Sequence, residues 1–552
     1  MDVAHAVGGA LVDAGIDHAF GVVGSGNFHV TNAMVAAGAT FVAARHEGGA
    51  ATMADAYARM SGTVAAVSVH QGCGLTNAMT GIAEAAKSRT PMVVLAAEVT
   101  QPRSNFYVDQ AALATAVGAV PARISSAESA VSEAEAAVRL ARDQRRTVVL
   151  NLPLQVQAEP APATPRGSGT PSSHLSQPAG PDDLEVLVRA LTAAQRPVFV
   201  AGRGARGQGC REALEELAAA SGALLATSAV AKGLFVGNPW SLDVSGGFAS
   251  PLAAELIGGA DLIVGWGCAL NMWTMRHGRL IAPGATVLQV DDDAEAIGAH
   301  RAGAVGVVGD VRETVRAALA QLGGRDVGQH YRTDDVAKRI AAEIRWRDVP
   351  YDDTSTVDET GACKRIDPRT LTIALDDVLP AERVVAVDSG NFMGYPSMFL
   401  SVPDEWGFCF TQAFQSIGLG LATAIGAALA QPQRLPVAAL GDGGALMSVA
   451  ELETVARLGL PMVVVVYNDD AYGAEVHHFG PDGHPLDTVV FPPTDIAAIA
   501  TGFGFETLTV REAADTAAVA DWVAGPRARP LLVDAKVTSA PSWWLEEAFR
   551  GH

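Results

Sequence analysis

Leu440-Gly441-Asp442-Gly443-Gly444 and Tyr467-Asn468-Asp469-Asp470-Ala471-Tyr472-Gly473 are two turns that each follow a short apolar run. The runs, Pro436 to Leu440 and Met462 to Val466, predict strands, and the second is typical of a strand buried on both faces. Ser448 is predicted to cap the helix between them. Parallel strands joined by a helix bring both turns to one edge of the sheet, where α/β folds bind ligands.

Two acidic residues stand out in these turns. Asp442 and Asp469 are 27 positions apart, but the strand–helix–strand arrangement brings them together. Gly441, Gly443 and Gly444 leave room for a ligand to approach the backbone. Carboxylate oxygens beside a glycine turn and a helix N-terminus suit a magnesium ion that carries a diphosphate. The alternative is an ordinary crossover with a solvated acidic turn, because such crossovers are common.

This pattern closely resembles the diphosphate and metal motif of thiamine diphosphate-dependent enzymes, and it is most similar to the group of acetolactate synthase, benzoylformate decarboxylase and related 2-oxo acid decarboxylases. The resemblance extends over nearly the whole chain. It implies that the metal binds Asp442, Asp469 and the main-chain carbonyl of Ala471. The family more often has Asn at the position of Asp469, so the charge balance differs here. The implied cofactor-binding residues of this motif are Gly441, Asp442, Gly443, Gly444, Asp469, Ala471, Tyr472 and Gly473.

Composition limits the classes of function. The 552 residues suggest about three domains, and 49% hydrophobic residues with 18% charged residues exclude global disorder. A formal net charge of −21 argues against nucleic acid or an anionic membrane as the main partner. Five scattered cysteines without a CxxC pair fit a reducing cytosol. No signal peptide or membrane-spanning run is recognised, so a cytoplasmic protein is expected.

Strand-like and helix-like segments alternate in three parts of the chain. This alternation predicts three doubly wound α/β units with parallel sheets. A Pro/Ser/Gly-rich segment and a polar, charged segment separate the units. The predicted bounds are a pyrimidine-binding unit at 1–157, a linker at 158–180, a central Rossmann-like unit at 181–325, a second linker at 326–366, and a diphosphate- and metal-binding unit at 367–552.

Glu47 is the predicted essential acid. It follows Arg45-His46 at the end of a predicted strand and opens a helix. Family enzymes carry a similar Arg-His-Glu segment, which implies that Glu47 hydrogen-bonds the pyrimidine N1′ of the cofactor. A carboxylic acid in an apolar pocket can share its proton, and this favours the imino form of the pyrimidine amine, which strips the thiazolium C2 proton. The alternative is a glutamate favoured by the dipole of a helix first turn.

Two further segments of the third unit resemble the family. In Gln412-Ala413-Phe414-Gln415-Ser416-Ile417-Gly418, Ile417 takes the place of the bulky residue beneath the thiazolium, and the carbonyl of Gln415 accepts from the pyrimidine amine. Asp388-Ser389-Gly390-Asn391 ends a strand. A buried helix N-terminus and an Asx-type turn are the respective alternatives. The residues placed to donate to the diphosphate are Ser389, Gly390 and Asn391.

Turns of the first unit supply candidates for the substrate side. Gly24-Ser25 resembles the benzoylformate decarboxylase pattern in which a serine meets the substrate carboxylate, although Val23 stands where the family usually has Pro. His70 resembles the proton-transferring histidine of that enzyme. A lone histidine at a strand end is equally consistent with a structural role. Ser25 and His70 therefore join Glu47 as predicted catalytic residues.

The central unit contains Gly202-Arg203-Gly204-Ala205-Arg206-Gly207, a formal GxGxxG. A dinucleotide site also needs an acidic residue about 20 positions further on, but the segment Ser221 to Ala231 has no carboxylate. In the resembled family this unit sometimes binds a flavin or adenine nucleotide and often binds nothing. The sequence therefore favours a structural turn and argues against bound FAD or adenine nucleotide.

We expect an acetolactate synthase-like enzyme that uses thiamine diphosphate and Mg²⁺. The resemblance implies decarboxylation or carboligation of a 2-oxo acid through a C2 carbanion and an enamine. It also implies a homodimer or homotetramer, with each site between the first unit of one subunit and the third unit of another. The alternatives are a benzoylformate decarboxylase-like non-oxidative decarboxylase, a lyase or acyltransferase on a substrate that is not a 2-oxo acid, and a non-catalytic cofactor-binding structural subunit.

Overall fold

The computed structural model describes residues 1–162, 176–324, 330–361 and 363–542. Three six-stranded sheets, each with parallel strands, are flanked by helices. This confirms the predicted class of three doubly wound α/β units. The bounds of the units stay predictions. Parts of both predicted linkers, 163–175, 326–329 and 362, lie outside the described residues, as do residue 325 of the predicted central unit and residues 543–552 of the predicted third unit. No helix in the described part of the chain is long and apolar enough to cross a membrane.

The N-terminal unit has the strand order β2-β1-β3-β4-β6-β5. Its strands are β1 His18–Gly21, β2 Thr40–Ala43, β3 Ala65–Val69, β4 Met92–Glu98, β5 Val120–Arg123 and β6 Thr147–Pro153. Its helices are α1 Val3–Asp13, α2 Phe28–Ala36, α3 Glu47–Ser61, α4 Cys73–Asn77, α5 Met79–Lys87, α6 Gln110–Ala116, α7 Ala130–Asp143 and α8 Leu154–Gln157. Every residue of β3 and β6 is buried, because helices cover both faces of the sheet.

The central unit has the strand order β9-β8-β7-β10-β11-β12, which is that of a Rossmann fold. Its strands are β7 Pro197–Ala201, β8 Leu224–Thr227, β9 Ser241–Val244, β10 Leu262–Trp266, β11 Thr286–Asp291 and β12 Val305–Val308. Its helices are α9 Pro181–Ala193, α10 Cys210–Ser221, α11 Pro251–Gly258 and α12 Val311–Leu322, and α13 Asp334–Glu343 follows within the predicted second linker. The topological switch between β7 and β10 lies beside the glycine-rich turn.

The C-terminal unit has the strand order β16-β15-β17-β18-β20-β19, which repeats the topology of the N-terminal unit. A short antiparallel pair, β13 Thr356–Val357 and β14 Cys363–Arg365, precedes it. Its strands are β15 Arg383–Val387, β16 Phe408–Cys409, β17 Leu435–Gly441, β18 Val463–Asn468, β19 Glu506–Val510 and β20 Leu531–Lys536. Its helices are α14 Pro368–Val378, α15 Gly394–Phe399, α16 Gly420–Ala430, α17 Asp442–Met447, α18 Glu451–Arg457, α19 Gly473–Phe479, α20 Ile496–Gly502 and α21 Ala517–Ala524.

The N-terminal and C-terminal units share one hydrophobic core, which runs between α3 and α16. The two helices approach so closely that a Cβ atom on Gly426 would lie 2.2 Å from the carbonyl oxygen of Met53. Nine of the eleven residues of α16 are buried, and α16 carries no charged side chain, as expected for a helix packed on both sides. This contact fixes the orientation of the two units within the chain.

The prediction that Ser448 caps a helix is wrong. Helix α17 begins at Asp442, directly after Gly441, and ends before Ser448. The hydroxyl of Ser448 donates to the carbonyl oxygen of Gly444 at 3.0 Å, so it satisfies the last turn of α17 rather than the first turn of a new helix. A second helix, α18, then begins at Glu451. The two-helix arrangement places the N-terminus of α17 at the glycine turn itself.

Candidate active site

Asp442 is the first residue of α17 and follows β17 without a loop. Gly441 is extended (φ −75°, ψ 160°), which turns the chain directly from strand into helix. The Asp442 side chain is therefore held at the carboxyl edge of the sheet. Burial raises the pKa of Asp442 to about 6.

Asp469 follows β18 and faces the same edge. Both of its carboxylate oxygens are buried, and neither has a hydrogen-bond partner among the described residues. Burial and the charge of Asp442 raise the pKa of Asp469 to about 8. A divalent cation would satisfy both oxygens and remove the repulsion, so these residues fit Mg²⁺. The described residues contain no group of three His, Cys, Asp or Glu side chains suited to a metal, so a third ligand would come from the backbone, as at Ala471.

Three glycines of this edge, Gly443, Gly444 and Gly473, leave no room for side chains. A Cβ on Gly443 would lie 2.5 Å from the ring of Tyr472, and one on Gly444 would lie 1.8 Å from the Asp388 carboxylate. A Cβ on Gly473 would lie 2.8 Å from the Asp469 carboxylate. A cavity of about 300 Å³ adjoins Asp442, Gly443 and Tyr472. The bare backbone, the helix N-terminus and the cavity together fit a diphosphate group.

Arg365 holds the turn after β18 and was missed by the sequence analysis. Its guanidinium donates to the carbonyl oxygens of Asn468 at 3.0 Å and Val537 at 2.9 Å, and to the carboxylate of Asp470 at 2.5 Å. Asp470 has a positive φ of 59°, which an L-residue rarely adopts. Arg365 lies in the predicted second linker, where no local pattern connects it to this turn.

Asp388 organises the neighbouring turn. Its buried carboxylate accepts from the backbone N–H groups of Ser389, Gly418, Leu419 and Gly420, at 2.9 to 3.3 Å. The side chain of Asn391 donates to the carbonyl oxygen of Ala540 at 3.3 Å and accepts from Ser542. The Asn391 side chain is thus hydrogen-bonded inside the protein, and it borders the turn after β18, since a Cβ on Gly473 would lie 3.0 Å from its amide nitrogen.

The loop that contains Gln415 and Ile417 lies beside this turn. Gln415 has a positive φ of 61°. A Cβ on Gly390 would lie 3.5 Å from Ile417, so the two predicted cofactor-binding segments are in contact. Glu84 of the N-terminal unit reaches the same loop and accepts from the N–H groups of Ala413 and Phe414. The role of Glu84 is not predictable from the sequence, because nothing local in α5 indicates a partner so distant along the chain.

Glu47 is the first residue of α3, at the carboxyl edge of the N-terminal sheet. His46 caps the helix, since its Nδ1 accepts from the N–H of Gly48 at 3.0 Å. The Glu47 side chain is half-buried and accepts from the side-chain amide of Asn77 at 3.0 Å. The segment before Glu47 is fixed from the C-terminal unit, because Glu451 accepts from the N–H groups of Arg45 and His46.

Ser25 and His70 belong to neighbouring turns at the carboxyl edge of the N-terminal sheet, the edge that also carries Glu47. The N–H of Gly26 donates to Nδ1 of His70 at 3.3 Å, and a Cβ on Gly24 would lie 2.7 Å from the same atom. A Cβ on Gly74 would lie 3.1 Å from His70 and 3.4 Å from Glu47. Burial lowers the pKa of His70, although the charge of Glu47 opposes this effect. The structure thus brings the turn of exposed Ser25, His70 and Glu47 together.

A second cavity, of about 1850 Å³, opens at the glycine-rich turn of the central unit. Its lining includes Gly202, Arg203 and Asp291, and it extends to Ser389 and Gln415. Asp291 ends β11, so an acidic residue does approach the glycine-rich turn. It comes from a different strand than the segment about 20 positions after the turn, where a dinucleotide site usually has its acidic residue. Burial lowers the pKa of Arg203 to about 9. The prediction that this unit binds no FAD or adenine nucleotide stays a prediction, and the visible and ultraviolet absorbance of the purified protein tests it.

Three family models match the chain. They describe the N-terminal TPP binding domain, the central domain and the C-terminal TPP binding domain of thiamine pyrophosphate enzymes, and they match residues 1–117, 184–318 and 388–535, respectively. Thiamine pyrophosphate is thiamine diphosphate. The N-terminal match contains Glu47, and the C-terminal match contains Asp442 and Asp469.

Several relatives match most of the chain. A probable 2-ketoarginine decarboxylase, AruI, from Pseudomonas aeruginosa is 30% identical over 84% of this chain and 81% of that protein. A sulfoacetaldehyde acetyltransferase from Roseovarius nubinhibens is 28% identical over 84% and 79%. A putative acetolactate synthase large subunit, IlvB2, from Mycobacterium tuberculosis is 28% identical over 86% of each. The carboxyl edges of the N-terminal and C-terminal sheets also carry residues that fit this cofactor. Together with the three domain matches, these similarities show that the chain belongs to the family of thiamine pyrophosphate-dependent enzymes.

Proposed function

We propose that the chain uses thiamine diphosphate and Mg²⁺ to decarboxylate a 2-oxo acid, to join it to a second carbonyl compound, or both. The observation that carries this proposal is the pair Asp442 and Asp469 at the glycine turn. In the part of the chain that the structure describes, the buried carboxylate of Asp469 has no hydrogen-bond partner for either oxygen and is repelled by Asp442, which is costly unless a cation lies between the two side chains. Asp442, Asp469 and the carbonyl of Ala471 would hold the metal, and the metal would hold the diphosphate. The diphosphate would also contact the surrounding backbone, which belongs to Gly441, Gly443, Gly444, Ser389, Gly390, Asn391, Tyr472 and Gly473.

When bound, thiamine diphosphate supplies the sink for the electron pair that is released as carbon dioxide leaves. Glu47 would hold a proton at the pyrimidine N1′, and the Asn77 amide orients its carboxyl group. Ile417 would support the thiazolium from below, while the carbonyl of Gln415 would accept from the pyrimidine amine. Each role uses an atom that the fold presents at one of the two sheet edges.

His70 would exchange a proton with the substrate. Its Nδ1 accepts a backbone hydrogen bond, so in the neutral ring Nε2 carries the hydrogen. The lowered pKa of His70 favours this neutral form near pH 7. Ser25, exposed on the adjoining turn, would bind the carboxylate of the 2-oxo acid.

We also propose that the chain forms a homodimer or homotetramer in the cytoplasm. Three apolar side chains near the carboxyl edge of the C-terminal sheet are exposed. They are Phe414, Met447 and Phe491, with exposed fractions of 46%, 58% and 40%, respectively. Such a group is typical of a surface that a second protein covers. A second subunit would supply Glu47 to this edge. Light scattering during gel filtration tests the assembly, and a monomer that binds cofactor and turns over would contradict it.

A second candidate is acyl transfer from a substrate that is not a 2-oxo acid. Sulfoacetaldehyde acetyltransferases are among the relatives at 27% to 29% identity, and this likeness supports testing that reaction. The same cofactor-binding residues serve both reactions, because the reactions differ in their substrates and not in how the cofactor is held.

The test measures carbon dioxide release from a panel of 2-oxo acids that includes pyruvate, benzoylformate and 2-ketoarginine, with thiamine diphosphate and Mg²⁺. Acyl transfer from sulfoacetaldehyde to phosphate, with sulfite as the leaving group, is assayed in parallel, and mass spectrometry identifies the products. Glu47→Gln should abolish release. Glu98→Gln, which changes a carboxylate paired with Arg123 in the same unit, is the matched control and should retain it.

Each result has a distinct meaning. Release that collapses only in Glu47→Gln supports the proposal, and the products separate decarboxylation from carboligation. Cofactor binding without release from any 2-oxo acid would favour the acyl-transfer candidate. A wild-type protein that binds no thiamine diphosphate would overturn both.

A further inference from the structure

Glu84 connects the N-terminal unit to the cofactor loop of the C-terminal unit. It lies on α5, and its side chain is completely buried. One carboxylate oxygen accepts from the N–H of Ala413 at 3.0 Å, and the other accepts from the N–H of Phe414 at 2.6 Å. Two consecutive backbone amides are therefore held by a single charged side chain from another unit.

Arg59 supports Glu84 from α3. Its guanidinium donates to Glu84 at 2.8 Å and to Asp55 at 2.7 Å, and both carboxylates are fully buried. The same guanidinium donates to the carbonyl oxygen of Phe410 at 2.8 Å. Burial disfavours a charged Glu84, but the charge of Arg59 and the two amides keep its pKa below the ordinary value. Glu84 is thus held in its charged form, and the network binds the loop at Phe410 as well as at Ala413 and Phe414.

The far side of the loop is held by a second buried carboxylate. Asp388 accepts from the N–H groups of Gly418, Leu419 and Gly420. Between the two anchors lie Gln415, with its positive φ, and Ile417. A loop whose backbone is fixed at both ends can maintain an unfavourable φ that a free loop would relax.

We propose that Glu84, supported by Arg59, is a positioning residue that holds the Gln415–Ile417 segment in the shape that receives the cofactor. This inference rests on the proposed function, because it assumes that Gln415 and Ile417 contact thiamine diphosphate. The N-terminal unit then has a second role besides providing Glu47. Through Glu84 the unit shapes the cofactor loop of its own chain.

Two variants separate the charge of Glu84 from its hydrogen bonds. Glu84→Gln replaces one acceptor oxygen by an NH₂ group, which faces an N–H donor. Glu84→Asp keeps the charge opposite Arg59, but it is one methylene too short to reach both amides. Glu133→Gln is the control, because Glu133 accepts from the N–H of Ser125 at 2.8 Å within the N-terminal unit.

The first measurement is hydrogen exchange of the cofactor-free protein. In each Glu84 variant at least one of the amides of Ala413 and Phe414 should exchange roughly tenfold faster, since that amide loses its hydrogen-bond acceptor. The second is the Kd of thiamine diphosphate at saturating Mg²⁺, measured by tryptophan fluorescence. The Kd should rise about tenfold in both variants, or about 1.4 kcal/mol, and stay unchanged in Glu133→Gln.

Unchanged exchange and unchanged Kd in both variants would overturn the inference. A lower melting temperature with an unchanged Kd would also overturn it, because Glu84 would then stabilise the fold without shaping the loop. Failure of the wild type to bind thiamine diphosphate would instead contradict the proposed function, whatever the exchange rates are.

Discussion

The carboxylate of Asp469 lies close enough to that of Asp442 for burial and the charge of Asp442 together to raise the pKa of Asp469 to about 8. Repulsion of this kind is a cost in the cofactor-free protein. It becomes an advantage once a divalent cation binds, since each carboxylate then stabilises the charge of the metal. The pair therefore links protein stability to metal binding.

Replacement of Asp469 by Asn should make the cofactor-free protein more stable by about 1 kcal/mol, because a neutral amide removes the repulsion from Asp442 and the cost of protonating a buried carboxylate near pH 7. The increase in melting temperature on adding Mg²⁺ and thiamine diphosphate should become smaller, because the metal loses one charged ligand. Thermal unfolding with and without these additions measures both effects. Asp482→Asn changes an exposed carboxylate and should behave like the wild type. A less stable Asp469→Asn protein with an unchanged response to Mg²⁺ would contradict this account.

Arg365→Ala should weaken the binding of Mg²⁺ and thiamine diphosphate and lower the free energy of unfolding by about 2 kcal/mol. The reason is that Arg365 holds two carbonyl oxygens and Asp470, whose φ is positive. Arg345→Ala, which breaks an exposed ion pair with Asp348, should cost little. Calorimetric titration and chemical denaturation measure the two quantities. Equal effects of both substitutions would argue against a special role for Arg365.

His70 should make the protein less stable in mild acid. Burial lowers its pKa in the folded state, so between that pKa and the ordinary value of about 6.5 the unfolded chain binds more protons than the folded one. The neutral His70 therefore contributes fully above about pH 6.5, and this contribution is lost as the pH falls toward the folded pKa. In His70→Gln the difference in melting temperature between about pH 7.5 and about pH 5.5 should shrink. His29→Gln, at an exposed position of the same unit, should leave that difference unchanged.

Gly426→Ala should destabilise the contact between α3 and α16. The added methyl group would lie 2.2 Å from the carbonyl oxygen of Met53, so the helices must separate at a cost of about 1–3 kcal/mol. Gly502→Ala is the matched change, because nothing lies within 4 Å of a Cβ at that position of α20. There the substitution should be neutral or stabilising by up to about 1 kcal/mol. Denaturation midpoints compare the two, and equal midpoints would show that the helices can move apart freely.

The sequence by itself determined the class of fold and the location of the metal turn. Alternating apolar runs and turns are local patterns, and parallel strands carry their turns to one edge of the sheet, so the sequence alone predicts that Asp442 and Asp469 lie together. The roles of Glu47, Ile417 and the remaining site residues came from resemblance and stay predictions. The local pattern also misled at Ser448, because a serine after the last turn of one helix looks like the start of the next.

The tertiary structure decided which groups hold these turns in place. Glu84, Arg365 and Glu451 each bond to backbone that is distant in sequence, from α5, β14 and α18, respectively. The Asp291 carboxylate likewise reaches the central cavity from β11, a strand that the spacing rule does not consider. Such contacts depend on how whole units pack, and no periodicity along the chain encodes them. A buried carboxylate gains its partners only when packing excludes water and brings distant N–H groups within about 3 Å.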